Sequence, residues 1–318
     1  MSTSASETLP PECPRCGYDQ AGIVASWAEA CPLVGQCSEC GLDFAWRDLL
    51  NPALSRQVKM FEHARRGLVA AFLLTWWKAA RPWSFWRWVR MEHEARLIRA
   101  GVLAVLGALL TYVLMICATT VPSALFVLLL PLNSNSAARL DDAFHRAVWP
   151  ITFVDTWSLE SLVRMSPAAV VLALLATVFL PLTFFLLGDT LRAARVRKTH
   201  IARVWFVSLL WLPAVLSIPY ICYVISAAFG AAFDPNWIGW MGGSQHLDWW
   251  FARYGGWLVF AAIVLWQVGW WQIACKRYIR LPHAFLIALL MTVLALLLAA
   301  VTLWAYPGVA WFARDLNV

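Results

Sequence analysis

Long apolar stretches alternate with short polar and basic segments along most of the chain after residue 100. Five stretches reach the roughly 20 residues that an α-helix needs to cross a bilayer: 101–121, 168–187, 204–229, 255–274 and 283–306. Their predicted cores contain no Asp, Glu, Lys, Arg or His. The pattern predicts a mainly α-helical membrane protein with a five-helix transmembrane bundle.

A shorter apolar segment, Gly67 to Trp77, lies between two cations and has only 11 residues, too few to span a bilayer. Aromatic and basic side chains alternate after it, in the sequence ARPWSFWRWVR. Such mixtures favour the headgroup layer of a membrane. We therefore expect residues 51–100 to form amphipathic interfacial linker helices between a head, 1–50, and a transmembrane domain, 101–318.

The basic residues predict an orientation for this bundle. With the N-terminus in the cytoplasm, segments 1–100, 188–203 and 275–282 face inward and hold 20 of the 25 Lys and Arg residues. Cytoplasmic loops carry such an excess. We therefore expect five spans, with the N-terminus in the cytoplasm and the C-terminus outside.

Composition agrees with a lipid environment. The chain is 61% hydrophobic and 14% charged, with a mean hydropathy of +0.65, whereas soluble domains are roughly 25% charged. The net charge of +7 then reflects membrane orientation and attraction to anionic headgroups. We expect the lipid bilayer as a partner and no nucleic acid.

The sharpest motif is a pair of Cys-x-x-Cys sequences near the N-terminus. Cys13, Cys16, Cys37 and Cys40 have 20 residues between the two pairs, and a glycine follows each pair. Four thiolates in a tetrahedral arrangement suit Zn²⁺, and a structural zinc could fold a small β ribbon that has little core. Iron is the less favoured occupant of the same cage. Disulfides are disfavoured because the head faces the reducing cytoplasm.

Other side chains near this motif have simpler interpretations. Cys31, between the two pairs, is interpreted as a spare thiol rather than a ligand. Tyr18, Phe44 and Trp46 are candidates to pack around the metal site.

Two clusters of acidic residues and histidine could bind a metal ion elsewhere. Asp141, Asp142 and His145 would share a helix face in an outer loop, and there they would serve either a membrane enzyme or a solvated surface. Glu62 and His63 are adjacent in sequence and so do not share a helix face, which favours a solvated helix.

The polar side chains predicted at membrane depth are mainly Gln267 and Gln272, in the fourth span. Their default role is interhelical hydrogen bonding. They could also line an uncharged path, which keeps a passive transporter or channel open as an alternative function. The lack of ionisable residues in the spans disfavours active transport.

Two parts of the chain resemble known groups of proteins. The head CPRCGYDQAGI…CSECGLDFAW, with NPALSRQVKMFEHARRG and ARPWSFWRWV after it, resembles uncharacterised bacterial zinc-ribbon membrane proteins. The body from Trp83 to Tyr306 resembles the Yip-type five-span domain, in the segments LLGDTLRAARVRKTHIARVWFVSLLWLPAVLSIPY and GWWQIACKRYIRLPHAFLIALL. The resemblance implies a multi-pass scaffold or trafficking-type adaptor, with the bacterial inner membrane as its location, and supplies no catalytic residues.

The sequence also lacks several common catalytic and nucleotide-binding motifs. The chain has no nucleophile elbow, HExxH, P-loop or dinucleotide-binding glycine pattern. We therefore expect a non-enzymatic integral membrane scaffold or adaptor, whose structural zinc ribbon contacts a cytosolic protein partner.

Overall fold

The computed structural model describes residues 11–27, 31–50, 59–91, 95–129, 167–186, 195–216 and 244–305. These residues are mostly helical, with one small two-stranded sheet near the N-terminus. The predicted mainly α fold with a small β element in the head is confirmed at this level.

The head, which comprises the described residues 11–27 and 31–50, is built from short elements. It contains helix α1 (Ala21–Ala25), strands β1 (Val34–Gln36) and β2 (Asp43–Ala45), and helix α2 (Trp46–Leu50). The strands are antiparallel and pair Gly35 with Phe44. An isolated bridge between Glu12 and Asp19 closes a second turn.

Two helices follow the head. Helix α3 (Leu68–Ala79) begins after Gly67, whose φ of 63° lies in the left-handed region that favours glycine. Helix α4 (Pro82–Trp88) begins with proline, which has no amide hydrogen to leave unpaired at a helix start. The ammonium group of Lys78 lies 3.9 Å from the ring centroid of Trp88 and links the two helices. The predicted short apolar helix is confirmed as α3.

Longer helices make up most of the remaining described chain: α5 (Leu97–Leu129), α6 (Pro167–Leu186), α7 (Lys198–Ser208), α8 (Ser244–Ala274), a π-helical turn (Cys275–Ile279) and α9 (Ala284–Ala305). Within the described ranges, three segments are long and apolar enough to cross a membrane: Leu97–Met115, Gly256–Ile279 and Ala284–Ala305. They coincide with the first, fourth and fifth predicted spans.

The number of spans stays a prediction. The second predicted span forms α6, whose apolar part Ala169–Phe184 is shorter than the other three. The described chain ends at residue 216 within the third predicted span, 204–229, so half of that span lies outside the described residues.

Two helix boundaries differ from the sequence pattern. Helix α5 continues through Pro122, where the apolar stretch was expected to be interrupted. Proline removes one backbone donor, and a long helix can continue past it at a local cost. Helix α8 begins at Ser244 rather than near residue 255, because polar residues can extend the hydrogen-bonded backbone beyond the apolar segment.

The chain divides into two compact units. The first comprises Met1–Ala104, Thr183–Ser208 and Trp270–Leu289. Its helical part has an aromatic core in which the Trp86 ring lies 5.5 Å from Trp270 and 4.8 Å from Tyr278, measured between centroids.

The second unit comprises Val105–Leu182, Leu209–Gly269 and Leu290–Val318. Ala173, Val215, Val259 and Ile263 form a buried apolar cluster within it. The hydroxyl of Thr111 donates to the Leu210 carbonyl at 2.9 Å, so a polar side chain in this apolar unit is satisfied by main chain. The predicted domain limits at residues 50 and 100 stay a prediction.

Candidate metal centre

Each Cys-x-x-Cys-Gly sequence forms the same tight turn. The amide of Gly17 donates to the Cys13 carbonyl at 2.8 Å, and the amide of Gly41 donates to the Cys37 carbonyl at 2.9 Å. The two glycines have φ values of 81° and 65°, which other residues adopt at a cost. Each turn therefore presents its two thiols on the same side.

The two turns bring the four predicted ligands together. The sulfur atoms of Cys13, Cys16, Cys37 and Cys40 all lie within 4.8 Å of one another. The Cys13–Cys40 and Cys16–Cys37 sulfur distances are 3.6 Å and 3.7 Å. A tetrahedral site with Zn–S bonds of about 2.3 Å requires sulfurs about 3.8 Å apart. The geometry is therefore compatible with one four-coordinate metal ion.

The electrostatics of the thiols also suit a cation. Burial raises the pKa of Cys13 well above its usual value and that of Cys40 to about 11. Burial opposes ionisation of Cys37 too, but backbone amides of Cys40 and Glu39 stabilise its thiolate and lower the pKa to about 7. A divalent cation would supply the positive charge that four clustered thiolates need, two of them buried and two half-buried.

Neighbouring side chains enclose the cluster. Phe44 and Trp46 are buried with Cys13 and Cys37, and their ring centroids lie 4.9 Å apart. The amide nitrogen of Gln20, itself buried, lies 3.4 Å from the Cys37 sulfur and can donate to it. Of the three aromatic residues predicted to pack there, Tyr18 alone is exposed, at 45%.

The remaining predicted metal residues lie outside this cluster. Cys31 is exposed, and its thiol contacts the Pro32 carbonyl at 3.4 Å. Asp141, Asp142 and His145 lie outside the described residues.

The head is attached to the segment before α7 by main-chain and charged contacts. The amide of Arg197 donates to the Arg15 carbonyl at 2.9 Å. Its side chain pairs with Glu12, and Arg195 pairs with Glu39. A Cβ atom on Gly17 would lie only 2.5 Å from the Arg197 side chain. The glycine after the first cysteine pair therefore serves both the metal turn and this close contact.

A buried polar chain continues from the head into the helices of the same unit. His200 Nε2 lies 2.7 Å from the Pro14 carbonyl, and its Nδ1 lies 2.7 Å from the Tyr278 hydroxyl. Because a carbonyl only accepts, Nε2 carries the hydrogen, and Nδ1 of the neutral ring accepts from tyrosine. Arg203 Nη1 then donates to the Tyr278 oxygen at 3.0 Å.

This series of buried polar contacts ends at a fully buried ion pair. The Arg203 guanidinium donates twice to the Glu62 carboxylate, with an Nε–Oε1 distance of 3.0 Å, and both side chains are inaccessible to solvent. Burial disfavours the charged arginine, but the Glu62 carboxylate outweighs this and holds the pKa of Arg203 above its usual range. The interpretation of Glu62 as part of a solvated surface was therefore wrong.

This polar chain was not predicted, because its members are far apart along the sequence. Glu62 and Arg203 are 141 positions apart, and His200 and Tyr278 are 78 apart. The available signal was weak: His200 and Arg203 are three residues apart, a spacing that places them on one helix face.

Stability should fall at acidic pH because His200 is buried in its neutral form. Burial lowers its pKa from 6.5 to about 4, with Arg203 and Arg197 adding repulsion. Below pH 6.5 the unfolded chain therefore binds a proton that the folded unit does not, and the folded state loses about 2 kcal/mol by pH 5. Thermal unfolding in detergent at pH 7 and pH 5 measures this loss.

The His200→Asn variant is the control for that measurement. Its melting temperature should fall less between pH 7 and pH 5 than that of the wild type, since the thiols and carboxylates common to both proteins cancel in the difference. Equal pH dependence in the two proteins would contradict the assignment.

The two glutamines predicted at membrane depth fall in different units. Gln267, in the second unit, is 2% exposed, and neither amide atom has a hydrogen-bond partner among the described residues. Gln272 belongs to the first unit and is half-buried. A path that uses both side chains stays a prediction.

Comparison with known proteins does not assign the chain to a family, because no family model, curated protein or solved structure matches it.

Proposed function

We propose that this protein is a non-enzymatic membrane scaffold or adaptor, with a structural zinc site in a cytoplasmic head that a cytosolic protein partner recognises. This is also the role implied by the resemblance to Yip-type membrane proteins. The proposal depends on three properties: the orientation of the chain, the structural nature of the metal site and an exposed surface on the head.

The composition of the first unit supports five spans with the N-terminus in the cytoplasm. This topology predicts that 1–100, 188–203 and 275–282 lie on one side of the membrane. The first compact unit gathers Met1–Ala104, Thr183–Ser208 and Trp270–Leu289, which contain those three segments. Segments that pack together in one unit fit a shared side of the bilayer.

The cysteine cluster supports a structural metal. Four protein thiols complete a tetrahedral site and leave no position for water or substrate, which is the pattern of structural rather than catalytic zinc. Cys13 and Cys37 also belong to the apolar core of the head. The metal would therefore stabilise the head without reacting.

The observation that carries the adaptor role is the contrast between attached and exposed parts of the head. Glu12 and Glu39 are held by arginines of the same unit. Leu33, which precedes β1, and Val34, its first residue, are 87% and 66% exposed. Adjacent exposed apolar side chains on the head favour protein recognition.

The double variant Leu33→Asp/Val34→Asp should lose the partner. Full-length tagged protein would be extracted from its native membranes in mild detergent, and the proteins that co-purify would be quantified by mass spectrometry. We expect the abundance of a specific partner to fall at least about tenfold, because the contact would have to desolvate two introduced carboxylates.

The matched control is Ala21→Asp/Gly22→Asp, which adds the same two charges to the head at exposed positions of α1. A Cβ atom at Gly22 would meet nothing within 4 Å, so the control preserves the fold. The adaptor role is wrong if no protein is enriched with the wild type, or if both double variants retain the same proteins.

A further inference from the structure

A partly open cavity of about 230 Å³ lies in the first unit, between the C-terminal end of α4 and the π-helical turn. Four arginines line it: Arg87, Arg90, Arg277 and Arg280. None of the described residues that line it is acidic. Arginines converge on this cavity from two segments that are nearly 200 residues apart in the sequence.

Two of these arginines have no other role among the described residues. Arg87 and Arg277 are exposed and make no hydrogen bond or ion pair there. Arg90 lies 3.7 Å from the Asp48 carboxylate, and Arg280 donates to a backbone carbonyl of the head at 3.5 Å. Among the described residues, a carboxylate therefore lies close to only one of the four arginines, Arg90.

Rigid aromatic side chains support the arginines. Trp86 and Tyr278 line the cavity, are each 1% exposed, and lie 4.8 Å apart between ring centroids. The Tyr278 hydroxyl is fixed by Arg203 and His200, as described above. These two buried rings fix the shape of the cavity before a ligand binds, which lowers the entropy lost on binding.

The backbone beside the cavity is unusual. Arg280 has a φ of 57°, a left-handed conformation that is uncommon for residues other than glycine. It directly follows the π-helical turn, and π turns are frequent at functional sites. This local geometry places the cationic residue Arg280 directly after the apolar segment Gly256–Ile279.

The position at the end of an apolar segment indicates the ligand. Anionic phosphate groups of lipids are concentrated at this depth, just outside the hydrocarbon core. Arginine binds phosphate through two parallel hydrogen bonds and is the preferred residue for this contact. A volume below the about 300–1,000 Å³ of drug-sized sites suits a single headgroup.

We propose that this cavity binds a phosphate group presented at the membrane surface. Arg87 and Arg277 donate to its oxygens, and Arg90 and Arg280 complete the positive surroundings. The site is independent of the adaptor role, since it uses neither the metal cluster nor the exposed residues of β1.

Calorimetric titration of the purified full-length protein in an uncharged detergent tests the proposal. The probes are dioctanoyl phosphatidic acid and inorganic phosphate, which share a phosphate group but differ in the lipid chains. We expect the double variant Arg87→Gln/Arg277→Gln to bind at least about tenfold more weakly, because it loses both uncommitted guanidinium groups.

The matched control is Arg65→Gln/Arg66→Gln, which removes two exposed arginines elsewhere in the same unit. It should bind like the wild type. If the lipid alone shows the tenfold loss, the ligand is a lipid headgroup; if inorganic phosphate shows it too, a soluble phosphate also fits. Absence of binding by the wild type, or equal losses in both double variants, would overturn the proposal.

Discussion

Replacing Cys13 with serine is expected to unfold the head. The variant loses one of four ligands from a cluster whose sulfurs lie within 4.8 Å, and metal binding supplies about 10–16 kcal/mol in small zinc modules. The head has little else to stabilise it, since the apolar core of its described part contains five buried residues, two of them cysteines. Limited proteolysis and elemental analysis of the purified protein measure the result: the wild type should carry one zinc and resist cleavage between residues 11 and 50, and the variant should do neither.

The control is Cys31→Ser, which changes an exposed thiol outside the cluster. It should keep its metal and its protease resistance. Strong chelation should reproduce the Cys13→Ser pattern in the wild type. A head that stays resistant after chelation would contradict a structural role for the metal, and stoichiometric iron in place of zinc would correct its identity.

The second large effect is expected at the buried ion pair. Glu62→Met or Arg203→Met alone leaves an unpaired charge in a site with no solvent exposure, which costs about 3–5 kcal/mol. The double variant Glu62→Met/Arg203→Met removes both charges and should cost less than either single variant, because two apolar side chains then replace the pair. Thermal unfolding of the three variants in detergent gives the coupling energy as a double-mutant cycle.

The exposed pair of Glu12 and Arg197 provides the comparison. Its side chains are 47% and 38% accessible, and such surface pairs contribute about 0–1 kcal/mol. Glu12→Gln/Arg197→Gln should therefore change the melting temperature little. If the two single variants at the buried pair were as mild as this control, Glu62 and Arg203 would not form the pair described here.

The candidate metal centre could be predicted from the sequence because its geometry is local. Each pair of thiols is set by one turn, in which a glycine amide bonds back to the first cysteine. The strands β1 and β2 flank the second turn, and the shared buried core of the head brings the two turns together. Residue types and spacing specify such a site almost completely.

The apolar helices were predictable for a related reason. The length of an apolar stretch reflects the thickness of lipid, so Gly256–Ile279 and Ala284–Ala305 could be identified without knowledge of their neighbours. Helix ends were less predictable, as α8 shows by its start at Ser244. Backbone hydrogen bonding rather than hydropathy determines where a helix begins.

The buried polar chain could not be predicted, because its members meet through tertiary structure alone. Glu62 was interpreted from its immediate neighbours, which gave no sign of an arginine 141 positions away. The cavity with four arginines was missed for the same reason: α4 and the π-helical turn contribute to it from distant parts of the sequence. The positive charge of both segments was attributed to orientation in the membrane. That explanation accounts for the number of cations, but it does not predict that arginines from both segments line one cavity.

The ion pair between Glu12 and Arg197 joins residues 185 positions apart, and this separation has a consequence for biosynthesis. The ribosome releases the two Cys-x-x-Cys-Gly turns early, and each turn closes through a backbone hydrogen bond within its own sequence. Arg195 and Arg197, which pair with acidic residues of the head, follow α6 in the sequence and are synthesised after it. The head therefore gains these two ion pairs only after its own turns and α6 have been synthesised.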